Sequence, residues 1–208
     1  MTPLMPEGYL ETRRRQIIEA AVSCFSKKGF HQTTMQDICK AAGLSPGAVY
    51  NYFRSKEDII SSCAEVSEKR NEEIFWNATS EARDSISVFD SIMSAFFSLA
   101  KEEGTEQAVR FDLEMWAEAT RNERIGGILQ ENKDATMNQL IKGVKRAQNE
   151  GVFSKALDST AIAQVLFSLV LGLEVQIASN PGLDIDAYSA VCQSIVRGTL
   201  SRGEESSE

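Results

Sequence analysis

The stretch "TTMQDICKAAGLSPGAVYNYF", residues 33–53, decides how this chain folds, because it stops one helix and starts another within a few residues. Thr34 followed three residues later by Asp37 has the form of a capping box, in which side-chain oxygens satisfy the orphan amides of a helix start. A short helix is therefore predicted to begin near Met35. Gly43 supplies the permissive backbone for a tight stop, and Ser45-Pro46 then provides an N-cap and a first-turn proline. The second short helix is expected over about Pro46–Phe53. Ser55 with Asp58 repeats the capping pattern, so a longer helix starts at Lys56.

Two stubby helices bent at a glycine have the geometry of a helix-turn-helix, whose second helix enters the DNA major groove while the first crosses the backbone. Ile38, Leu44, Val49 and Phe53 are placed to face inward, and Ala42 and Gly43 keep the crossing close. Ser45, Gly47, Ala48, Tyr50, Asn51 and Tyr52 are left for the outside. Small Gly47 and Ala48 let the backbone approach base edges. Tyr50, Tyr52 and Lys56 offer phenolic and ammonium donors at spacings suited to consecutive phosphates, and Thr34 presents a hydroxyl beside an anion-favouring helix N-terminus.

Charge supports this reading once it is resolved along the chain. The formal net charge is −8 over 208 residues, which on average would repel phosphate. Between Leu10 and Lys56, however, eight basic residues stand against three acidic ones, an excess of +5 that leaves −13 for the remainder. A basic head on an acidic body is what a nucleic-acid binder with a separate regulatory part requires. The Arg13–Arg15 triplet reads either as a solvated helix start or as contacts to flanking phosphates.

The segment "GFHQTTMQDICKAAGLSPGAVYNYFRSKEDII", residues 29–60, resembles the DNA-binding domain of tetracycline-repressor (TetR) type transcriptional regulators. That resemblance implies contacts from Thr34 and Gln36 on the first helix of the motif. It implies base-edge positions for Ser45, Gly47, Ala48 and Asn51, and phosphate contacts for Tyr50, Tyr52 and Lys56. Gln36 stands where many relatives have Arg, so an amide that reads adenine or bonds a phosphate replaces a cation. The resemblance further implies that the rest of the chain forms a ligand-binding and dimerisation domain.

Outside the motif the pattern is all-α, with about nine helices. A first helix is expected over Leu10–Lys28, and later apolar stripes run through Ile86–Ala100, Val109–Ala117, Ile125–Ala147, Ile162–Ile177 and Tyr188–Leu200. The predicted organisation is a flexible N-terminus (1–9), a helix-turn-helix domain (10–56, motif 34–53), a helical regulatory and dimerisation domain (57–200) and a disordered acidic tail (201–208). Surplus apolar faces on the last two helices suit a four-helix bundle with a second copy, burying Leu166, Leu169, Val170, Leu173, Tyr188, Val191 and Ile195. Phe89, Met93, Phe96, Phe97, Phe111, Met115, Trp116 and Phe167 are the candidate lining of a pocket for a small, largely apolar effector.

Other function classes find little support. The single histidine, His31, lies in a turn with no Ser/His/Asp set, glycine-rich phosphate loop or metal spacing around it, so neither catalysis, a metal nor a cofactor is expected. Cys24, Cys39, Cys63 and Cys192 are scattered and read as reduced, buried thiols. The most apolar run, from Ala161, spans about a dozen residues, short of the roughly 20 that cross a bilayer, and a cytoplasmic location is expected. The sequence thus describes a DNA-binding regulator of a palindromic double-stranded operator, acting as a homodimeric repressor released by a small effector. An activator, or a regulator controlled by a protein partner without a small ligand, is the alternative.

Overall fold

The structure, a computed structural model, describes residues 7–81 and 84–200. Among these residues there are nine α-helices and no strand: α1 Glu7–Lys28, α2 Met35–Ala42, α3 Pro46–Tyr50, α4 Lys56–Glu81, α5 Ser85–Leu99, α6 Thr105–Ala119, α7 Glu123–Asn149, α8 Ser159–Ser179 and α9 Ile185–Ile195, with a π-helical turn over Val196–Leu200. Local chemistry sets most of the starts. Thr34, Ser45, Asp84, Asp158 and Asp184 each accept a backbone N–H from three residues ahead, at 2.8–3.3 Å. Each such cap stabilises its helix by about 1 kcal/mol. Gly43, at φ 64°, ends α2 in the left-handed region, with the Leu44 N–H returning to the Cys39 carbonyl.

Several boundaries depart from the sequence reading. Residues 7–9, expected to be flexible, form the first turn of α1, while residues 1–6 and the 201–208 tail lie outside the described residues. α3 stops at Tyr50, not near Phe53. The N–H groups of Tyr52 and Phe53 both return to the Val49 carbonyl at 3.0 Å, coiling the chain inward so that Phe53 is buried. The apolar run from Ala161 belongs to a 21-residue helix, α8, which is long and apolar enough to cross a membrane by length and composition. In this fold α8 sends Leu166 and Leu173 into the protein interior.

The division of the chain also differs from a cut at residue 56. One unit joins the residues up to 66 with 107–130, and the other joins 67–106 with the residues from 131 onward. In the first unit Ile17, Phe25, Phe30, Ile38, Val49, Phe53, Ile59 and Ile60 share a core with Phe111, Met115 and Ile125 from α6 and the start of α7. The Phe25 ring sits 5.8 Å from Phe30 and 5.9 Å from Phe111. A helix-turn-helix of some 50 residues buries too little surface on its own, and α6 supplies the missing wall. In the second unit Phe89, Ile92, Leu140, Val144, Phe153, Ile162 and Leu166 form one buried cluster, and Met93, Phe97, Leu173 and Cys192 another.

Candidate nucleic-acid interface

The outer face of the motif is assembled by the inward grip of its neighbours. Ile38, Val49 and Phe53 are buried and Leu44 packs against the same core, which turns Ser45, Gly47, Tyr50 and Asn51 to solvent. Tyr50 is 51% exposed. Ala48 is half-buried, and Tyr52 packs partly against the core, so only part of its ring is available to a ligand. Gln36 and Thr34 are exposed at the start of α2. Two helix starts beside an array of hydroxyl and amide groups make a surface able to bond phosphates and base edges.

Thr34 is held tightly. Its N–H and its hydroxyl both donate to Asp37 Oδ2, at 2.9 and 2.8 Å, and the Asp37 N–H donates back to Thr34 Oγ1 at 3.1 Å. The Lys28 ammonium donates to Asp37 Oδ1 at 2.8 Å. Lys28 first, then the Thr34 N–H and hydroxyl, hold the Asp37 carboxyl well below the usual carboxylate range.

Lys56, expected at a phosphate, is turned inward instead. Its Nζ donates to the carbonyls of Phe30 and Thr33, at 2.7 and 2.8 Å, and lies 4.2 Å from the centre of the Phe30 ring. Burial pushes the ammonium pKa down, against the pull of Glu57 and Glu118. Two of its three N–H donors are thus committed to the turn before α2. Sequence spacing could not reveal this, because the carbonyls that capture Lys56 lie 23 and 26 residues away.

The arginine triplet divides. Arg14 donates to Ser62 Oγ at 2.6 Å and to Glu65 Oε2 at 3.2 Å, with its guanidinium 5.6 Å from the Phe53 ring centre, so it braces α1 against α4. Arg15 pairs with Glu19 at 3.8 Å across a turn of helix, and Arg13 donates to Gln16 at 2.7 Å. At the start of α4, Asp58 accepts the Arg54 N–H and the Arg124 guanidinium; burial raises this carboxyl, but those bonds outweigh it and hold the pKa low.

The candidate effector residues do not converge. Phe111 and Met115 lie in the core of the first unit, and Trp116 is half-buried on α6 in that same unit. Met93 and Phe97 pack with Leu173 and Cys192, while Phe96 and Phe167 pack against the cluster around Phe89. A cavity of about 660 Å³ does open in the second unit between α4, α5 and α7, and Phe89 is the member of the predicted set that lines it. Its apolar wall adds Phe75, Val88, Ile92 and Leu140, and its polar rim carries Lys69, Glu72, Glu73, Lys142 and Arg146. Trp76, 71% exposed, completes the rim. The sequence reading missed α4 as a wall because its apolar positions are interrupted by charge.

The candidate dimer residues also separate. Leu166 and Leu173 are buried within the protomer, and the Tyr188 hydroxyl donates to the Leu169 carbonyl at 3.2 Å beside Gly172. Leu169 and Val170 are half-buried in the same packing. Val191 and Ile195 on α9 do face solvent, joined by Val165 and Val175 on α8, which the sequence reading passed over. No group of three or more metal-ligating side chains occurs among the described residues, and all four cysteines are free. Burial and the charge of Asp112 push the Cys63 thiol up to about 12.

Comparison with known proteins bears on the same surfaces. A family model described as bacterial regulatory proteins, tetR family, matches residues 17–63, and one for the C-terminal part of BetI-type transcriptional repressors matches residues 90–201. The HTH-type transcriptional regulator UidR of Escherichia coli (strain K12) is 26% identical over 189 residues, covering 90% of this chain and 93% of that protein. The structure of Salmonella enterica GusR matches with a TM-score of 0.74 at 25% identity, over 91% of this chain and 95% of that one. The fold is also that of FadR from Bacillus subtilis, solved in complex with stearoyl-CoA (TM-score 0.77, 22% identity, 89% of this chain and 98% of that one).

Proposed function

Because the chain belongs to the tetR family of bacterial regulatory proteins and is a DNA-binding transcriptional regulator, we propose that it is a repressor whose hold on a palindromic operator is released by a small organic effector. The observation that carries the DNA-binding half is the outer face of α2 and α3. Ser45, Gly47, Tyr50 and Asn51 are exposed on a scaffold whose neighbouring apolar residues, Ile38, Val49 and Phe53, point inward. In this reading Gly47, Ala48, Ser45 and Asn51 approach base edges, Gln36 bonds an adenine edge or a phosphate, and Thr34, Tyr50 and Tyr52 bond phosphates. Lys56 contributes chiefly by holding the turn that precedes α2.

The repressor acts as a homodimer through α8 and α9. Val165, Val175, Val191 and Ile195, each about half exposed, stand to gain roughly 1 kcal/mol apiece on burial against a second copy. Two-fold pairing also presents two reading helices about one DNA turn apart. The effector occupies the cavity between α4, α5 and α7, whose apolar wall and charged rim suit an amphipathic molecule. It favours the conformer in which the reading helices are mis-spaced for adjacent grooves, which shifts the population off DNA. A protein that works on chromosomal DNA in this way acts in the cytoplasm.

The test starts with selection of bound duplexes from a random-sequence library. A palindromic sequence is expected, and failure to enrich any sequence overturns specific recognition. Compounds suggested by the genes beside that sequence are then titrated in a Trp116→Phe background, where Trp76 is the remaining indole and its fluorescence reports cavity occupancy. Release from the selected duplex at the same concentrations supports the effector role. Release without any change at Trp76 moves the effector elsewhere.

A further inference from the structure

Between α1 and α2 the chain makes a five-residue turn, Gly29–Thr33, that is gripped from two other elements. Lys56 at the start of α4 takes the carbonyls of Phe30 and Thr33. From α6, Glu114 Oε1 accepts the Phe30 N–H at 3.0 Å, and Glu118 Oε2 lies 2.8 Å from His31 Nε2. The Gly29 position favours glycine because its φ is 77°, and a Cβ there would come within 2.7 Å of Glu114 Oε1 and push that carboxylate from its place. The turn ends at Thr34, the cap that sets the direction of α2.

Glu118 is the anomaly in this arrangement. It is 1% exposed, and no aligned hydrogen bond reaches its Oε2 among the described residues. It continues the buried stripe of Phe111 and Met115, where an apolar side chain would avoid the desolvation that burying a carboxylate costs. The groups that face it are His31 from the turn, Arg121 just beyond the end of α6 at 3.6 Å and the Lys56 ammonium from α4, with Glu114 one turn earlier on α6. Such a carboxylate is poorly suited to adding stability and well suited to fixing where a cation must sit.

We infer that Glu118, with His31 as its partner, is a positioning residue for DNA recognition: the pair fixes the Gly29–Thr33 turn and thereby the angle at which α2 presents Thr34 and Gln36. The inference rests on the DNA-binding reading above and adds a residue, far from the reading face in sequence, that touches no DNA. Removal of the pair blurs recognition of the correct sequence. The phosphate contacts of Tyr50 and Tyr52 in and just after α3, and with them most of the general affinity for DNA, are left in place.

The experiment uses the full-length protein, the duplex it selects from a random library, and poly(dI-dC) as the non-specific duplex. Glu118→Leu is expected to keep or raise Tm while weakening the selected duplex about tenfold, the scale at which one good base contact discriminates. Binding to poly(dI-dC) falls by no more than about twofold, and the salt slope, which counts cationic contacts, stays unchanged. His31→Gln, at an exposed position, gives the same loss, the double variant loses no more than either single one, and His31→Lys recovers most of the affinity. Should Glu118→Leu not fold, the contrast between His31→Gln and His31→Lys decides. Unchanged affinity in a folded Glu118→Leu protein overturns the inference, as do additive losses in the double variant. Equal losses on both duplexes with a shallower salt slope also overturn it, making His31 a phosphate contact. A wild-type protein that selects no sequence refutes the DNA-binding reading itself, before any variant is made.

Discussion

The two units of this chain use their polar groups differently. In the first, side chains are tied to backbone at close range: Thr34 and Asp37 cap each other, Lys56 takes two carbonyls, Glu114 takes the Phe30 N–H, and Gln16 donates to the Ala42 carbonyl at 2.6 Å. In the second, charged residues ring an open cavity of about 660 Å³, and branched apolar side chains of α8 and α9 stand in solvent. A surface that reads DNA by hydrogen bonds needs its donors fixed to within a fraction of an ångström, whereas a part that accepts an effector and a second subunit needs unfilled space and unpartnered apolar area. The contrast matches the division of work proposed for the two units.

The sharpest way to break that contrast is to remove the association half of it. Val175→Arg combined with Val191→Arg is expected to give a folded monomer by size exclusion with light scattering. Affinity for the selected duplex then falls about 100-fold or more, because the two half-sites are no longer engaged together. A dimer that survives both charges would place the interface on another face.

Next in size is a pair of glycines in the reading unit. Gly29→Ala and Gly43→Ala both force a side chain to positive φ, a cost of about 1–2 kcal/mol, but only the first also meets Glu114. Urea unfolding is expected to show Gly29→Ala at about 3 kcal/mol and Gly43→Ala at about 1. Equal losses would mean that Glu114 moves aside freely and grips the turn less firmly than its 3.0 Å bond implies.

Lys56→Ala and Tyr50→Ala separate holding from touching. Truncating Lys56 leaves two carbonyls of the turn without their donor and is expected to cost about 2 kcal/mol of stability. Tyr50→Ala, on an exposed ring, is expected to leave stability within about 0.5 kcal/mol. It weakens selected and random duplexes alike by a few-fold, with a shallower salt dependence. Interchanged results, with Lys56 mattering only for DNA and Tyr50 for folding, would reverse the two roles.

The smallest effect concerns acid. Because Lys28 and Thr34 hold the Asp37 pKa below its unfolded value near 4, its contribution is fully present above about pH 4. That contribution is lost as pH falls toward the depressed folded value. Asp37→Asn is therefore expected to lower the thermal midpoint at neutral pH and to converge with the wild type at low pH. A constant difference across that range would show that the carboxylate charge is immaterial to the cap.

The caps at Thr34 and Ser45, the stop at Gly43, the all-α class and the solvent-facing side of α3 were all legible in the sequence. Each is decided by residues within about four positions of one another, where hydrogen bonds and steric limits act without help from the rest of the fold. What tertiary structure alone decided are the contacts that span the chain. Lys56 looked like a free ammonium until the turn 23 and 26 residues before it supplied carbonyls. Glu118 carried no signal of its own at the end of α6 until the first unit closed over it. The aromatic residues grouped by type were divided among separate cores, because spacing along one helix fixes which residues share a face but not which neighbour that face will meet.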